Sequence, residues 1–358
     1  MANEYQINIQ AQPYFKNNND RTISISYSIP EKGTDSSTGI LLIIPGYEGD
    51  TSSNVFKKMR REFSDRKNLI TIQCDYFGIE FMGSEIMSQV RENFNILDLK
   101  LQEKNKDTLT IADDLSIDIF PEETPENFCE SGIFQALDCL KGLLAVMHIL
   151  NKKKIAYNKN NISAYGFSHG GYLSMLCNAF APNLFSTIID NSGLIYPTYL
   201  YRPRICSSNS MNPQNAHEIL FVKIHYRGLE WIDDIELYHL RQVYKQIESR
   251  AQILTFHGQN DKLITLNTKK RFLKNIPHVT LEVVTDDNAD YDIFSNSSHG
   301  MGTDFIKLFY YVCNHYTLER EDSEEIFTAT KTKNPMTFRT KLYTYTLDKE
   351  YNIYRTEN

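Results

Sequence analysis

The sequence has little of what would link it to nucleic acid, to a membrane or to export. Its 38 Lys and Arg are outnumbered by 45 Asp and Glu, which gives a net charge of −7. Without a basic excess to attract phosphate groups, we expect neither a nucleic acid nor a membrane as a partner. The best apolar stretch, Gly142–Leu150, is too short to cross a bilayer. Residues Met1–Tyr5 carry no basic region or apolar run, so we expect no signal peptide and a cytoplasmic protein.

Cysteine is also sparse. The chain has six cysteines and no C-x-x-C pair: Cys74, Cys129, Cys139, Cys177, Cys206 and Cys313. Since no export signal is visible, we expect reduced and mostly buried thiols. The histidines and cysteines lack the spacing of zinc ligands, so no metal site is expected. At 358 residues the chain is long enough to bury a substantial core without disulfides or metals.

Short apolar runs bounded by turn residues alternate with amphipathic stretches. Two segments with a period of two, Tyr5–Gln10 and Thr22–Ser28, flank the polar Lys16–Asp20 and predict a hairpin. Buried strands are predicted at Ile40–Ile44, Leu69–Cys74, Ile162–Gly166, Ser186–Ile189, Ile253–His257 and Val279–Val284. Helices are predicted at Asn54–Lys67, Ser131–Leu150, Gly171–Phe180, Thr268–Lys274 and Thr303–His315. This order predicts an α/β fold whose mostly parallel sheet is covered by helices on both faces.

Two long stretches, residues 77–130 and 195–250, interrupt this alternation. Connections of such length rarely lack structure in a compact domain, so we expect both to fold as caps or lids. The first has eight acidic and no basic residues from Asp107 to Glu130, which is typical of a solvated surface. The second is rich in tyrosine and holds the only tryptophan, Trp231. After a main domain of residues 1–316, the tail at 317–358 alternates again and predicts a strand or hairpin on the sheet edge.

One motif carries chemistry. Gly166-Phe167-Ser168-His169-Gly170 is a G-x-S-x-G between a predicted strand and a predicted helix. That setting is the nucleophile elbow, a strained turn that projects a serine hydroxyl from the carboxyl edge of a sheet. The alternative is a glycine-rich turn in which Ser168 only caps the following helix.

A nucleophilic serine needs a base, and the base needs an orienting carboxylate. Asp261 and His299 each follow a predicted strand, at the edge where open α/β sheets hold their chemistry. Together with Ser168 they stand in the chain order serine, acid, histidine that this chemistry shows on such sheets. Asp190, which follows another strand, is an alternative acid.

The other histidines are weaker candidates for the base. His169 is too close to Ser168 in sequence, and His257 is expected at the end of a strand. Three more lie in the second insertion, where solvated or core histidines are more common than catalytic ones: His217, His225 and His239. We therefore predict His299 as the base.

Acyl transfer also needs donors for a developing oxyanion. One is the backbone N–H that follows the nucleophile, here that of His169. For the other we choose the N–H of Tyr47 in the turn Pro45–Gly49, because Gly46 permits a tight bend just before it. The alternative interpretation of this turn is an ordinary loop.

Three sequence blocks resemble the α/β-hydrolase superfamily, over roughly residues 22–316. They are the nucleophile block Asn160–Leu176, which contains Tyr165–Tyr172, the acid block His257–Ile264 and the histidine turn Ser298–Gly300. The likeness is to the prolyl-oligopeptidase and dienelactone-hydrolase-like branches, and to uncharacterised bacterial proteins of this kind. It implies an eight-stranded-type sheet with helices on both faces and cap insertions. The oxyanion turn departs from the family pattern, since it begins Pro45-Gly46 rather than His-Gly.

The residues and the resemblance predict a serine hydrolase. The preferred interpretation is a carboxylic-ester hydrolase that acts on a small acylated metabolite or sugar. No metal or organic cofactor is required. Four residues of the second insertion are candidates for holding a sugar or an acidic substrate, or else form cap core and a solvated edge: Tyr199, Arg202, Arg204 and Trp231. Alternatives are an acyltransferase, a thioesterase or a peptidase with the same triad, or a non-catalytic binding protein of this fold.

Overall fold

The computed structural model describes residues 1–15, 20–104, 115–211, 218–289, 292–320 and 336–358. Most of the predicted turn at Lys16–Asp20, part of the acidic stretch from Asp107 to Glu130, part of the tail, and His217 lie outside the described residues.

The helices and strands follow the predicted alternation closely. The first half of the chain forms β1 (Asn3–Ala11), β2 (Arg21–Ile29), β3 (Gly39–Ile44), α1 (Asn54–Lys67), β4 (Leu69–Cys74), α2 (Ser84–Lys104), β5 (Ser116–Ile119), α3 (Ile133–Lys152), β6 (Ile162–Phe167), α4 (His169–Phe180) and β7 (Thr187–Asn191). The second half forms α5 (Thr198–Tyr201), β8 (Arg204–Asn209), β9 (Ile219–Ile224), α6 (Leu240–Val243), β10 (Gln252–Gly258), α7 (Leu266–Leu273), β11 (Val279–Val284), α8 (Phe305–His315), β12 (Met336–Arg339), β13 (Tyr343–Leu347) and β14 (Ile353–Glu357).

The described residues form one large sheet of eight strands in the order β1-β2-β4-β3-β6-β7-β10-β11. Strand β2 pairs antiparallel with β1 and β4, whereas the neighbours from β4 through β11 pair in parallel. The mixed sheet, with its helices and the serine turn described below, confirms the predicted α/β-hydrolase fold.

Helices cover both faces because the central strands are apolar on both sides. In β3, Ile40, Leu42 and Ile44 share a core cluster with residues of α3 and α4. The alternate residues Leu41 and Ile43 share a second cluster with residues of α1 and α8. Since neighbouring residues of a strand point to opposite faces, an unbroken apolar run is what a sheet buried on both faces requires.

The sequence predicts no stretch long and apolar enough to span a membrane, and helix α3 corrects this prediction. By length and composition alone Ile133–Lys152 meets that criterion, but 72% of its apolar window is buried within the fold. A buried core helix of a globular protein meets the same criterion.

The two insertions contribute to one structure rather than to two separate caps. Strand β5 from the first and β8 and β9 from the second form a three-stranded sheet in the order β5-β9-β8. One face of this sheet packs on α2, where Val90 and Leu97 meet Leu220 and Val222. We call this unit the cap sheet.

The tail corrects one prediction. Strands β12, β13 and β14 form a separate antiparallel sheet, and none of its described residues pairs with the large sheet. Phe338 and Tyr345 are buried in the core cluster that contains α3 and α4, and the ring of Phe338 meets Phe180 edge-on at 5.4 Å. Alternation indicates a half-buried strand but does not identify its partner, which here is a helical surface.

Candidate active site

Ser168 lies at the sharp turn between β6 and α4. Its backbone φ is +52°, a left-handed value that residues other than glycine adopt only when their surroundings hold them there. The Ser168 N–H donates to the carbonyl of Asn191 at 2.8 Å, and the Ser168 carbonyl accepts from the N–H of Tyr172 at 3.1 Å. A Cβ on Gly170 would lie 2.0 Å from the carbonyl oxygen of Ile44, so glycine is required for α4 to approach β3.

Three predicted residues form a continuous hydrogen-bonded series. Ser168 Oγ lies 2.8 Å from His299 Nε2, and His299 Nδ1 lies 2.8 Å from Asp261 Oδ2. An ionised carboxylate can only accept, so Nδ1 carries the proton and Nε2 is free to accept from the serine hydroxyl. The Asp261 side chain is fully buried, whereas 25% of the His299 side chain is exposed.

The loop after β10 holds Asp261 as a carboxylate. Burial alone would raise the pKa of Asp261, but the hydrogen bonds from His299 and from the N–H of Ile264 lower it below its ordinary value. Asp261 Oδ1 accepts from the N–H groups of Leu263 at 2.8 Å and Ile264 at 3.0 Å. The carboxyl group is therefore fixed in orientation as well as in charge.

His257 lies beneath this loop and was not predicted to have a role. Its Nε2 donates to the Ile264 carbonyl at 2.8 Å and lies 3.6 Å from Asp261 Oδ2. Burial, together with the positive charge of Lys269, lowers the pKa of His257. A neutral imidazole that donates from Nε2 therefore supports the acid loop. A histidine near the end of a strand gives no sequence signal for this arrangement.

The alternative acid, Asp190, is used elsewhere. Its Oδ2 lies 2.6 Å from Lys269 Nζ in an ion pair with no exposed surface, and its Oδ1 accepts from the Gly193 N–H at 2.7 Å. Lys269 Nζ also donates to the Gly193 carbonyl at 2.8 Å. This pair ties α7 to the end of β7. No contact joins Asp190 to His299 within the described part of the chain.

The side chain of His169 is not a second base. It is fully buried, and Nε2 lies 2.7 Å from Gln135 Oε1 on α3. Burial lowers its pKa to about 3, so the ring is neutral at physiological pH. The predicted role of His169 therefore concerns its backbone N–H alone.

The predicted oxyanion donors come from two adjacent segments. A Cβ on Gly46 would lie 2.6 Å from the Phe167 carbonyl oxygen and 3.4 Å from the Cβ of Ser168, so the turn Pro45–Gly49 runs directly beside the serine. Among the described residues, the N–H groups of Tyr47 and His169 donate to no protein acceptor. The His169 N–H is in the first turn of α4, where helix N–H groups lack intrahelical partners.

Two of the four predicted substrate residues lie at the border of this turn. The Tyr199 ring meets the ring of Tyr47 edge-on, with centroids 4.9 Å apart. Burial raises the pKa of Tyr199, while the charges of Arg204 and Arg202 lower it, which places both guanidinium groups in its neighbourhood. Arg202 is exposed and forms no ion pair with any described residue.

The other two fit the alternative that the sequence left open, which is packing within the cap. Arg204 is 7% exposed, and its guanidinium is paired with Glu48, which leaves it no open charge for a substrate. Trp231 packs against Phe128 at 5.0 Å and under the guanidinium of Arg227 at 5.3 Å. A tyrosine-rich insertion does not reveal which of its side chains turn inward.

No three His, Cys, Asp or Glu side chains in the described ranges are grouped as a metal site. All six cysteines fall within these ranges as free thiols, five of them buried and Cys313 partly exposed.

Comparison with known proteins gives little beyond the fold. Residues 79–202, less than half of the chain, match a family described as "Protein of unknown function (DUF2920)". No curated protein sequence matches this chain.

Several solved structures are similar in fold at low identity. An acylaminoacyl peptidase of Pyrococcus horikoshii is 14% identical, with a TM-score of 0.49; the match covers 91% of this chain but only 44% of the peptidase. Est1E of Butyrivibrio proteoclasticus, solved with ferulic acid, is 13% identical, with a TM-score of 0.45. The match covers 81% of this chain and 92% of Est1E. The Pyrococcus furiosus esterase Pf2001 is 10% identical, with a TM-score of 0.45. The match covers 87% of this chain and 90% of the esterase.

Proposed function

We propose that this chain is a serine hydrolase that cleaves a carboxylic ester of a small acylated metabolite or sugar through an acyl-enzyme. The observation that carries the proposal is the series Ser168–His299–Asp261, with two contacts of 2.8 Å, on a serine held at positive φ. A serine that only capped α4 would not need either contact, and its side chain makes no capping hydrogen bond.

The mechanism follows from which groups can accept and donate protons. Ser168 Oγ attacks the ester carbonyl as its proton passes to His299 Nε2, and Asp261 stabilises the resulting imidazolium. The negative charge on the carbonyl oxygen is held by the N–H groups of Tyr47 and His169. His299 then gives its proton to the departing alcohol, which leaves the acyl group on Ser168. In the second half, water attacks the acyl carbonyl as its proton passes to His299, and His299 returns this proton to Ser168 Oγ as the acid is released.

Tyr199 and Arg202 are the residues that we assign to the substrate. Tyr199 borders the turn that carries one oxyanion donor, and Arg202 is the exposed cation beside it. A phenol and a guanidinium suit the hydroxyl groups of a sugar or a carboxylate on the acyl chain.

The experiment is labelling with a fluorophosphonate, which bonds to an activated serine, followed by peptide mass spectrometry. The wild type should carry one adduct on Ser168, and Ser168→Ala should carry none while it keeps its melting temperature. A folded wild type without an adduct would refute the proposal.

Substrate competition then tests the ester class. p-Nitrophenyl acetate, butyrate and octanoate should be hydrolysed faster than a matching thioester or a peptide p-nitroanilide. Faster cleavage of the thioester or anilide, or transfer of the acyl group to an added alcohol in preference to water, would replace ester hydrolysis by the corresponding activity.

A further inference from the structure

Arg204 lies on β8 of the cap sheet but contacts the oxyanion turn. Its guanidinium carbon lies 5.3 Å from the centroid of the Tyr47 ring, and its Nη2 forms an ion pair with the Glu48 carboxylate. One buried side chain therefore holds two consecutive residues of the turn, by a cation–π contact and by a charge-assisted hydrogen bond.

The turn needs such support because its backbone is strained. Glu48 has a φ of +78°, an uncommon value for a residue that is not glycine. Its N–H donates to the Met82 carbonyl at 2.7 Å, so the first insertion also holds the turn. The donor N–H of Tyr47 belongs to the Gly46–Tyr47 peptide, one residue before Glu48, so a change in the backbone of this turn would move that N–H relative to Ser168.

The Tyr47 side chain is held both at its hydroxyl and at its ring. Its hydroxyl lies 3.2 Å from Ser131 Oγ, and its ring meets the ring of His169 at 5.2 Å, next to the nucleophile. Arg204 covers the same ring from the cap sheet, with its Nη1 also donating to Cys206 Sγ at 2.9 Å. The guanidinium of Arg204 is thus paired with residues of the protein and is not free to bind a ligand.

We infer that Arg204 is a positioning residue for the oxyanion turn and couples the cap sheet to catalysis, an inference that rests on the proposed function. Removal of this contact should weaken stabilisation of the transition state and leave binding of the ground state nearly unchanged. An oxyanion donor is worth about 10²- to 10³-fold in kcat, and a displacement of about 1 Å can lose much of that.

The test is hydrolysis of p-nitrophenyl butyrate by the full chain. We expect Arg204→Gln to lower kcat by about 10- to 100-fold with KM within about twofold. Glu48→Gln removes the ion pair but keeps the cation–π contact and should lose less. Arg204→Lys keeps the charge without the planar group, so its kcat should lie between those of the wild type and Arg204→Gln.

Arg355 supplies a matched control. Arg355 lies on β14 in the tail; its guanidinium lies 4.4 Å from the Phe15 ring centroid and pairs with Asp233 of the second insertion, and neither partner belongs to the oxyanion turn. Arg355→Gln should keep the wild-type kcat, whatever it does to stability. A second readout is a trifluoromethyl ketone, which mimics the tetrahedral state and should bind Arg204→Gln more weakly than the wild type by the factor lost in kcat.

Each outcome decides the inference. A rise in KM with kcat unchanged would make Arg204 a substrate contact, and an equal loss in Arg355→Gln would make the effect a general one; either result overturns the inference. If Arg204→Gln does not fold, an unchanged kcat in both Arg204→Lys and Glu48→Gln overturns it. A wild type that takes no fluorophosphonate label refutes the proposed function itself, whereas a labelled wild type with an unaffected Arg204→Gln refutes only this inference.

Discussion

His257 lies 3.6 Å from the same oxygen of Asp261 that accepts the hydrogen bond of His299. Two histidines thus face one carboxylate, but their environments differ: His257 has no exposed side-chain surface, whereas a quarter of His299 is exposed. The buried ring donates to a backbone carbonyl and stays neutral, so only the exposed one is left to exchange protons with a substrate.

Protonation of His257 should therefore destabilise the fold. The pKa of this buried ring lies below the ordinary value of 6.5. Below pH 6.5 the histidine of the unfolded chain therefore becomes protonated while His257 in the native state stays neutral, which favours the unfolded state. The free energy of unfolding should fall as the pH drops from 7.5 to 5. In His257→Gln, which can still donate to Ile264, this component should be absent. Urea denaturation of both proteins at the two pH values measures the difference, and equal pH dependence would contradict it.

The two candidate acids can be separated by mutation. Asp261→Asn should lower kcat by about 10³- to 10⁴-fold with little change in stability, because the amide no longer holds His299 in the required tautomer. Asp190→Asn should instead lose about 3–5 kcal/mol of stability, because it leaves the buried Lys269 unpaired. The measurement is kcat for p-nitrophenyl butyrate, with urea unfolding of each variant.

The control for this pair removes both charges. Asp190→Asn combined with Lys269→Met should recover part of the stability lost by the single variant. If Asp190→Asn, once folded, lost as much kcat as Asp261→Asn, the assignment of Asp261 as the acid would be wrong.

Local patterns predicted the elements well and their three-dimensional use less well. Helix α1 begins and ends at the predicted residues Asn54 and Lys67, since an amphipathic period and a following left-handed Asn68 mark its limits. Ser168 could be predicted from its G-x-S-x-G motif, and Asp261 and His299 could be predicted because each follows an apolar strand and parallel strands end at one edge.

Burial of charged residues could not be predicted in the same way. Arg204 follows a second arginine, Arg202, by two residues, and Lys269 stands between Thr268 and Lys270, so the local pattern marks neither side chain as buried. Each is buried because a carboxylate from a distant segment, Glu48 or Asp190, meets it there. Such pairings depend on long-range packing, which has no local signature.

Glu130 should give the fold a pH dependence of the opposite sign to that of His257. Burial raises its pKa to about 7 from 4.5, although its Oε2 accepts from the N–H groups of Gly132 and Phe134 at the start of α3. Between these values the native state binds a proton that the unfolded chain has lost, so stability should fall as the pH rises from 4.5 to 7. The shift corresponds to about 3 kcal/mol.

The matched variant is Glu130→Gln, whose amide oxygen can still accept from both N–H groups. It should unfold at nearly the same urea concentration as the wild type at pH 5 and at a higher one at pH 8. A midpoint difference that is the same at both pH values would show that Glu130 does not titrate in this range.

The strained backbone of Ser168 should store free energy that function requires. At a φ of +52° a Cβ is unfavourable, whereas glycine adopts this region without penalty. Ser168→Gly should therefore be more stable than Ser168→Ala by about 1 kcal/mol, after allowance for the greater freedom of glycine in the unfolded chain. Both lack the nucleophile, so differential scanning calorimetry compares them without interference from turnover.

Ser174 provides the control, because it lies inside α4 where the backbone is helical. There the order should reverse, with Ser174→Gly less stable than Ser174→Ala by about 1 kcal/mol. If glycine were the less stable residue at position 168 as well, the turn would hold no strain. The positive φ would then reflect a conformation that the sequence favours locally, rather than one that the strand order and the close approach of Gly170 to Ile44 impose on the nucleophile.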